Sequence, residues 1–111
     1  MTNKDIILGF YQAVFNDRKC ASEFVTADFV EDYSAELKET GVKAFYERYA
    51  GFFAVEGATA EVIKIAGEGD KVAAYIKMRG TDGVTFIRSA DVFHLRDGKI
   101  AWHTATIQPC Q

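Results

Sequence analysis

The sequence predicts an α+β domain in which helices come first and an antiparallel meander follows. Two observations carry this reading. Apolar residues over 3–17 recur at helical spacing, whereas from residue 58 onward the pattern alternates with period two. The second half is also broken by "GEGD", "TDG" and "RDG", which are hairpin turn chemistries. Helices of this kind cover one face of the sheet that the meander forms.

The first helix spans 3–17, where Ile7, Phe10, Tyr11, Val14 and Phe15 make one apolar stripe. Thr2 and Asp5 have the spacing of a capping box at its start. A short helix is expected over 20–25, and Phe29-Val30-Glu31 reads as a short strand running into the polar stretch "DYSAELKET". A third helix spans 41–53, with Val42, Phe45, Tyr46, Tyr49 and Phe52 on its apolar side and Thr40 as N-cap. Four strands follow, at 58–67, 71–80, 84–95 and 99–108.

The 111 residues suffice for one core, so residues 1–111 are read as a single domain. Net charge is −3 with no basic run, which argues against a nucleic-acid partner. No stretch approaches the roughly 18 consecutive apolar residues of a membrane-spanning helix. The opening Met-Thr-Asn-Lys-Asp lacks a signal-peptide layout, so a cytoplasmic location is expected. Cys20 and Cys110 have no metal-type spacing and are expected to be reduced. There is no glycine-rich phosphate loop, dinucleotide motif or nucleophile elbow, so no cofactor is called for. Nine Phe, five Tyr and one Trp, many in runs such as Phe10-Tyr11 and Phe52-Phe53, suit an apolar interior able to hold a small molecule.

One residue departs from the strand pattern. In "SADVFHLRDGKIAWH" Phe93 and Leu95 share the inward face, Arg88, His94 and Arg96 the outward one, and Asp91 counts inward. An inward carboxylate needs a partner or must be neutral. The turn "LRDGK" suits a three-residue loop with a bulge at Gly98, pairing Leu95 with Lys99 and setting Asp91 across from His103. Ser89, Asp91, Phe93, Ala101, His103 and Ala105 then share one face, and Phe86, Ala90, Val92 and Trp102 the other. A two-residue loop would instead separate Asp91 from His103. The two histidines fall on opposite faces, which disfavours a metal site, and His94 reads as a surface residue.

The order of elements, the Gly98-Lys99-Ile100 turn and the closing Ile107-Gln108-Pro109 resemble the nuclear transport factor 2-like (cystatin-like) superfamily, and within it the polyketide cyclase-like (SnoaL-like) branch. The resemblance implies a cone: N-terminal helices packed on a curved antiparallel sheet that encloses a pocket. It also implies a homodimer through the outer sheet face. The cyclase branch places a His and, two residues on, an acid on the last strand; His103 matches, and Ala105 stands in the acid's position. The ketosteroid isomerase branch implies three roles. "FYQAVFND" puts Tyr11 at the position of a Tyr donor, "FVED" puts Asp32 at that of the catalytic base, and "ADVFHL" puts Asp91 at that of a second Asp.

That resemblance implies proton transfer alpha to the carbonyl of a small apolar compound. Asp32 would move the proton, while Tyr11 and a neutral Asp91 would donate to the developing oxyanion. His103 enters as a modifier or an alternative acid or base, since an imidazolium beside Asp91 would keep it ionised. An Asp91–His103 dyad would suit dehydration or hydrolysis. The competing class is a non-catalytic ligand-binding or dimerising domain, with a purely structural Asp91–His103 pair.

Overall fold

The computed structural model describes residues 1–32 and 38–110; residues 33–37 of the polar stretch lie outside the described residues. Helix α1 (Asn3–Phe10) opens with the expected capping box, Thr2 and Asp5 each accepting from the other's backbone N–H. At Tyr11 the helix widens into a π-helical turn, Tyr11–Asn16, closed by an Asp17 N–H to Gln12 C=O bond of 2.9 Å. The extra residue keeps the whole predicted stripe, Ile7 to Phe15, in the core. Asn16 pins the turn to the sheet by bonding both backbone groups of Ala60, at 2.7 and 3.0 Å.

The short helix is one 3₁₀ turn, Ala21–Glu23. Strand β1 (Val25–Asp32) is longer than expected, and β2 (Lys38–Thr40) pairs back on it. The predicted third helix is two pieces, α2 (Val42–Arg48) and α3 (Ala50–Phe53), broken at Tyr49, whose backbone (φ −103°, ψ 21°) leaves the helical region. Gly41, not Thr40, is the N-cap; its φ of +93° is one that a glycine adopts without strain.

Strands β3 (Thr59–Glu68), β4 (Lys71–Arg79), β5 (Thr85–Arg96) and β6 (Lys99–Pro109) form the meander, within two residues of the expected bounds. The sheet has six strands in the order β2-β1-β6-β5-β4-β3. All neighbours are antiparallel except β1 and β6, which run parallel: the predicted four-strand meander is antiparallel throughout, and β1 joins its β6 edge in parallel.

The β5–β6 turn corrects the predicted register. Arg96 pairs with Lys99, leaving a two-residue loop in which Asp97 (φ +54°) and Gly98 (φ +79°) are both left-handed, as a type I′ turn requires. Alone, that loop would put Asp91 and His103 on opposite faces. The register shifts between His94 and Leu95, where Leu95 pairs with Ile100 but His94 pairs with Trp102, so Ala101 is an extra bulged residue. The bulge restores the parity. Asp91 sits across from Ala105 and His103 across from Phe93, one step apart along the same inward face. Ser89, Asp91, Phe93, His103 and Ala105 are buried, while Ala90 is exposed and Val92 and Trp102 are half-buried on the other side.

The helices seal the inward face with aromatic rings. Phe10 contacts Phe15, Phe24, Phe45 and Phe93 edge-on, and Phe15 contacts Phe45, Tyr49 and Phe52. Each fully buried ring of this size contributes about 1.5–3 kcal/mol through removal from water. Among the described residues no helix is long and apolar enough to cross a membrane.

Candidate functional site

The site is a row of ionisable groups inside the aromatic core. Asp91, on β5, is 1 % exposed. Its Oδ2 accepts from the Tyr11 hydroxyl, and its Oδ1 accepts from Tyr49 at 2.6 Å and from Ser89. The imidazole Nε2 of His103 lies 3.8 Å from Asp91 Oδ2 and 3.4 Å from the Tyr49 hydroxyl. On the far side of the ring, Nδ1 donates to the Glu31 carboxylate at 2.7 Å. Arg48 then meets Glu31 Oε2 at 3.3 Å. The order Arg48, Glu31, His103, Asp91 alternates in sign, so each buried charge has an opposite neighbour. Rings of Phe93, Phe45 and Tyr49 pack on His103 with centroids 4.8, 5.9 and 5.8 Å away.

These contacts decide the charges. Burial opposes a charge on His103, but the carboxylates of Asp91 and Glu31 outweigh it and raise the imidazolium to about 9. Burial alone would raise Asp91; the nearby charge of His103 and the hydroxyls of Ser89 and Tyr11 outweigh that and hold the carboxyl below its ordinary value. Burial and the negative Asp91 push both Tyr11 and Tyr49 well above the ordinary phenol range. Asp91 is thus an ionised acceptor of hydroxyls. The neutral, proton-donating Asp91 expected by analogy with ketosteroid isomerase does not fit these surroundings.

Of the four residues singled out from sequence, Tyr11, Asp91 and His103 come together. Asp32 does not join them. Successive side chains on β1 alternate, and Glu31, paired with His103, takes the inward place. Asp32 lies on the opposite face, where Trp102 Nε1 donates to its Oδ2 at 3.1 Å. Trp102 in turn stacks on His94, 4.3 Å between centroids. The residues missed were Glu31, Arg48, Tyr49 and Ser89. Glu31 was findable by the parity argument that found Asp91, since Phe29 and Glu31 are two apart; Ser89 shares the parity of Asp91. Arg48 gave no signal, because its partners lie on β1 and β6, far away in sequence. Cys20 and Cys110 are both unbridged.

An interior lined in this way on a helix-covered curved sheet defines a nuclear transport factor 2-like cone. The chain belongs to the SnoaL-like domain family, whose profile matches residues 7–103. Among curated protein sequences none matches significantly. Solved structures with the same fold include IdmH, a candidate polyketide cyclase from Streptomyces antibioticus (23% identity, TM-score 0.80, 97% of this chain and 93% of that one). A loop-truncation variant of IdmH is 25% identical, with a TM-score of 0.79 over 96% of this chain and 93% of that one. AclR, a candidate hydroxylase from Streptomyces galilaeus, is 20% identical, with a TM-score of 0.76 over 96% and 88%.

Proposed function

We propose that this domain is an acid–base enzyme acting on a small, largely apolar carbonyl compound, with Asp91 and His103 as the proton-transferring pair. The observation that carries this is the buried imidazole held between two carboxylates, one of which also accepts three hydroxyls. A core filled only with apolar side chains would avoid the desolvation cost of these charges. Such arrangements concentrate where chemistry needs perturbed groups.

In the proposed step the Asp91 carboxylate takes a proton from the carbon beside the carbonyl. The His103 imidazolium gives its Nε2 proton to the carbonyl oxygen, which yields an enol. Return of a proton to a different carbon, with the oxygen proton going back to His103, completes an isomerisation. Tyr11 and Tyr49 each give their one hydroxyl proton to the carboxylate and hold it in place. IdmH is called a candidate polyketide cyclase, and polyketides are rich in carbonyl groups, in keeping with this substrate class.

A second reading has its own observation. Asp91 and His103 are each 1 % exposed, so a ligand reaches them only if a covering ring moves. That closure favours a non-catalytic domain that binds or dimerises, with the half-buried Val92 and Trp102 beside exposed Ala90 as the contact on the outer sheet face.

The test is the ultraviolet assay for conversion of a β,γ-enone to its conjugated isomer, on wild type, His103→Gln, Asp91→Asn and Asp32→Asn. General acid–base catalysis by the pair predicts a loss of at least about a hundredfold in the first two variants. Collapse in Asp32→Asn alone would return the base role to Asp32. A wild type no faster than His103→Gln supports the second reading for this substrate, and sedimentation then tests for the dimer.

A further inference from the structure

Glu31 and Arg48 neither give nor take a proton in the proposed step. They nevertheless cap the far end of the same buried row. Glu31 is fully buried, and both its carboxylate oxygens lie 2.7 Å from His103 Nδ1. Arg48 meets the same carboxylate at 3.3 Å and is itself tied down elsewhere. The Arg48 guanidinium also donates to the backbone carbonyls of Asp32, at 2.8 Å, and Ala105. It therefore bridges α2 to both strands of the parallel β1–β6 pair.

We propose that Glu31 is a positioning residue for His103, held in place by Arg48. By accepting from Nδ1–H, Glu31 fixes the ring so that Nε2 is presented to Asp91 and the Tyr49 hydroxyl. This is the geometry in which Nε2 can exchange a proton with a ligand. Among the described residues, the titratable and charged groups facing the imidazole are Glu31 on β1, Asp91 on β5 and Tyr49 at the α2–α3 break, with Arg48 behind Glu31. Burial works against the imidazolium and the two carboxylates work for it. Taking the charge off Glu31 thus leaves burial opposed by Asp91 alone.

This inference rests on the acid–base reading for its catalytic meaning, but its first readout does not. The His103 titration is followed by imidazole NMR in wild type and Glu31→Gln, which keeps an acceptor and removes the charge. The expected result is a fall of at least about tenfold in the proton affinity of His103, with Nδ1 still the protonated nitrogen of the neutral ring. Should the single variant fail to fold, Glu31→Gln with Arg48→Met removes both members of the pair and leaves no uncompensated charge; the same fall is expected. An unchanged titration in whichever variant folds overturns the proposal, whatever the enone assay shows. In an active enzyme the alkaline limb of the kcat/KM profile moves to lower pH in parallel. A limb that stays put while the NMR titration moves would overturn the link between Glu31 and catalysis.

Discussion

Tyr49 donates its hydroxyl to Asp91 Oδ1 at 2.6 Å from the break between α2 and α3. Its backbone caps α3 as well, accepting from the N–H groups of Phe52 and Phe53 at 2.9 and 3.1 Å. The residue that donates to Asp91 is therefore also the joint between α2 and α3. The hydroxyl bond thereby ties the buried carboxylate to that joint.

Tyr49→Phe tests this link. It keeps the ring and its packing on Phe15 and Phe45, and removes one donor from a buried carboxylate. Hydrogen bonds to charged groups contribute about 1.5–3 kcal/mol, so a loss of that size is expected in urea denaturation. Hydrogen exchange at α3 should accelerate in the same variant, because its first turn loses the anchor. A variant as stable as wild type would show that Tyr11 and Ser89 satisfy Asp91 without it.

The pH dependence of stability has two arms with opposite causes. His103 is raised in the folded state from 6.5 to about 9, so its contribution is fully present below pH 6.5 and is lost as pH rises through about 9. Asp91 is lowered, so its contribution is present above its unfolded value of 3.8 and is lost as pH falls through its folded value. Urea midpoints should fall from pH 6 to pH 10, with His103 contributing roughly 3 kcal/mol of the change. His103→Gln should remove that part of the slope. An equal slope in the variant would assign it to other groups.

Much of this architecture was legible because it follows from period and turn chemistry. The stripe from Ile7 to Phe15 and the four strands depend on local alternation, which the chain displays without ambiguity. The α2–α3 break at Tyr49 carried no Gly or Pro at that position to announce it. The side-chain face of His103 was read correctly through an incorrect register. A two-residue turn and a bulge at Ala101 together give the parity that the expected three-residue turn would have given alone. Asp32 was placed by likeness to a motif, whereas the parity of its own strand assigns the inward position to Glu31. The alternating row from Arg48 to Asp91 joins residues on different elements, distant in sequence, and no window of sequence displays it.

Asp32 offers a test on the other face of the sheet. It is 9 % exposed, one oxygen accepts from Trp102, and the other, buried, has no partner among the described residues. Among the described residues the indole N–H is thus the side-chain donor to this carboxylate. A double-mutant cycle between Trp102→Phe and Asp32→Ala should give a coupling of about 1.5 kcal/mol or more by urea denaturation. Additive effects would mean that the contact does not contribute. Because Trp102 also stacks on His94, a third variant, His94→Ala, measures how far the stacking holds the indole in place.

The turn that sets the register of β6 gives the last prediction. Asp97 and Gly98 both have positive φ, which the type I′ geometry demands of its two central residues. A Cβ on Gly98 would meet Ile6 Cδ1 at an ordinary 3.9 Å, so Gly98→Ala has room and any loss comes from backbone strain. That loss is expected to be about 1 kcal/mol or more. Asp97→Gly should hold or slightly raise stability, since glycine enters the left-handed region more readily than aspartate does. A three-residue loop with Gly98 alone left-handed would also penalise Gly98→Ala, so the aspartate position separates the two turns. In that loop Asp97 would be right-handed, and Asp97→Gly would be destabilising through the greater freedom of the unfolded chain. The ordering Asp97→Gly at or above wild type, with Gly98→Ala below it, is therefore the signature of the turn that, with the Ala101 bulge, brings His103 to the face of Asp91.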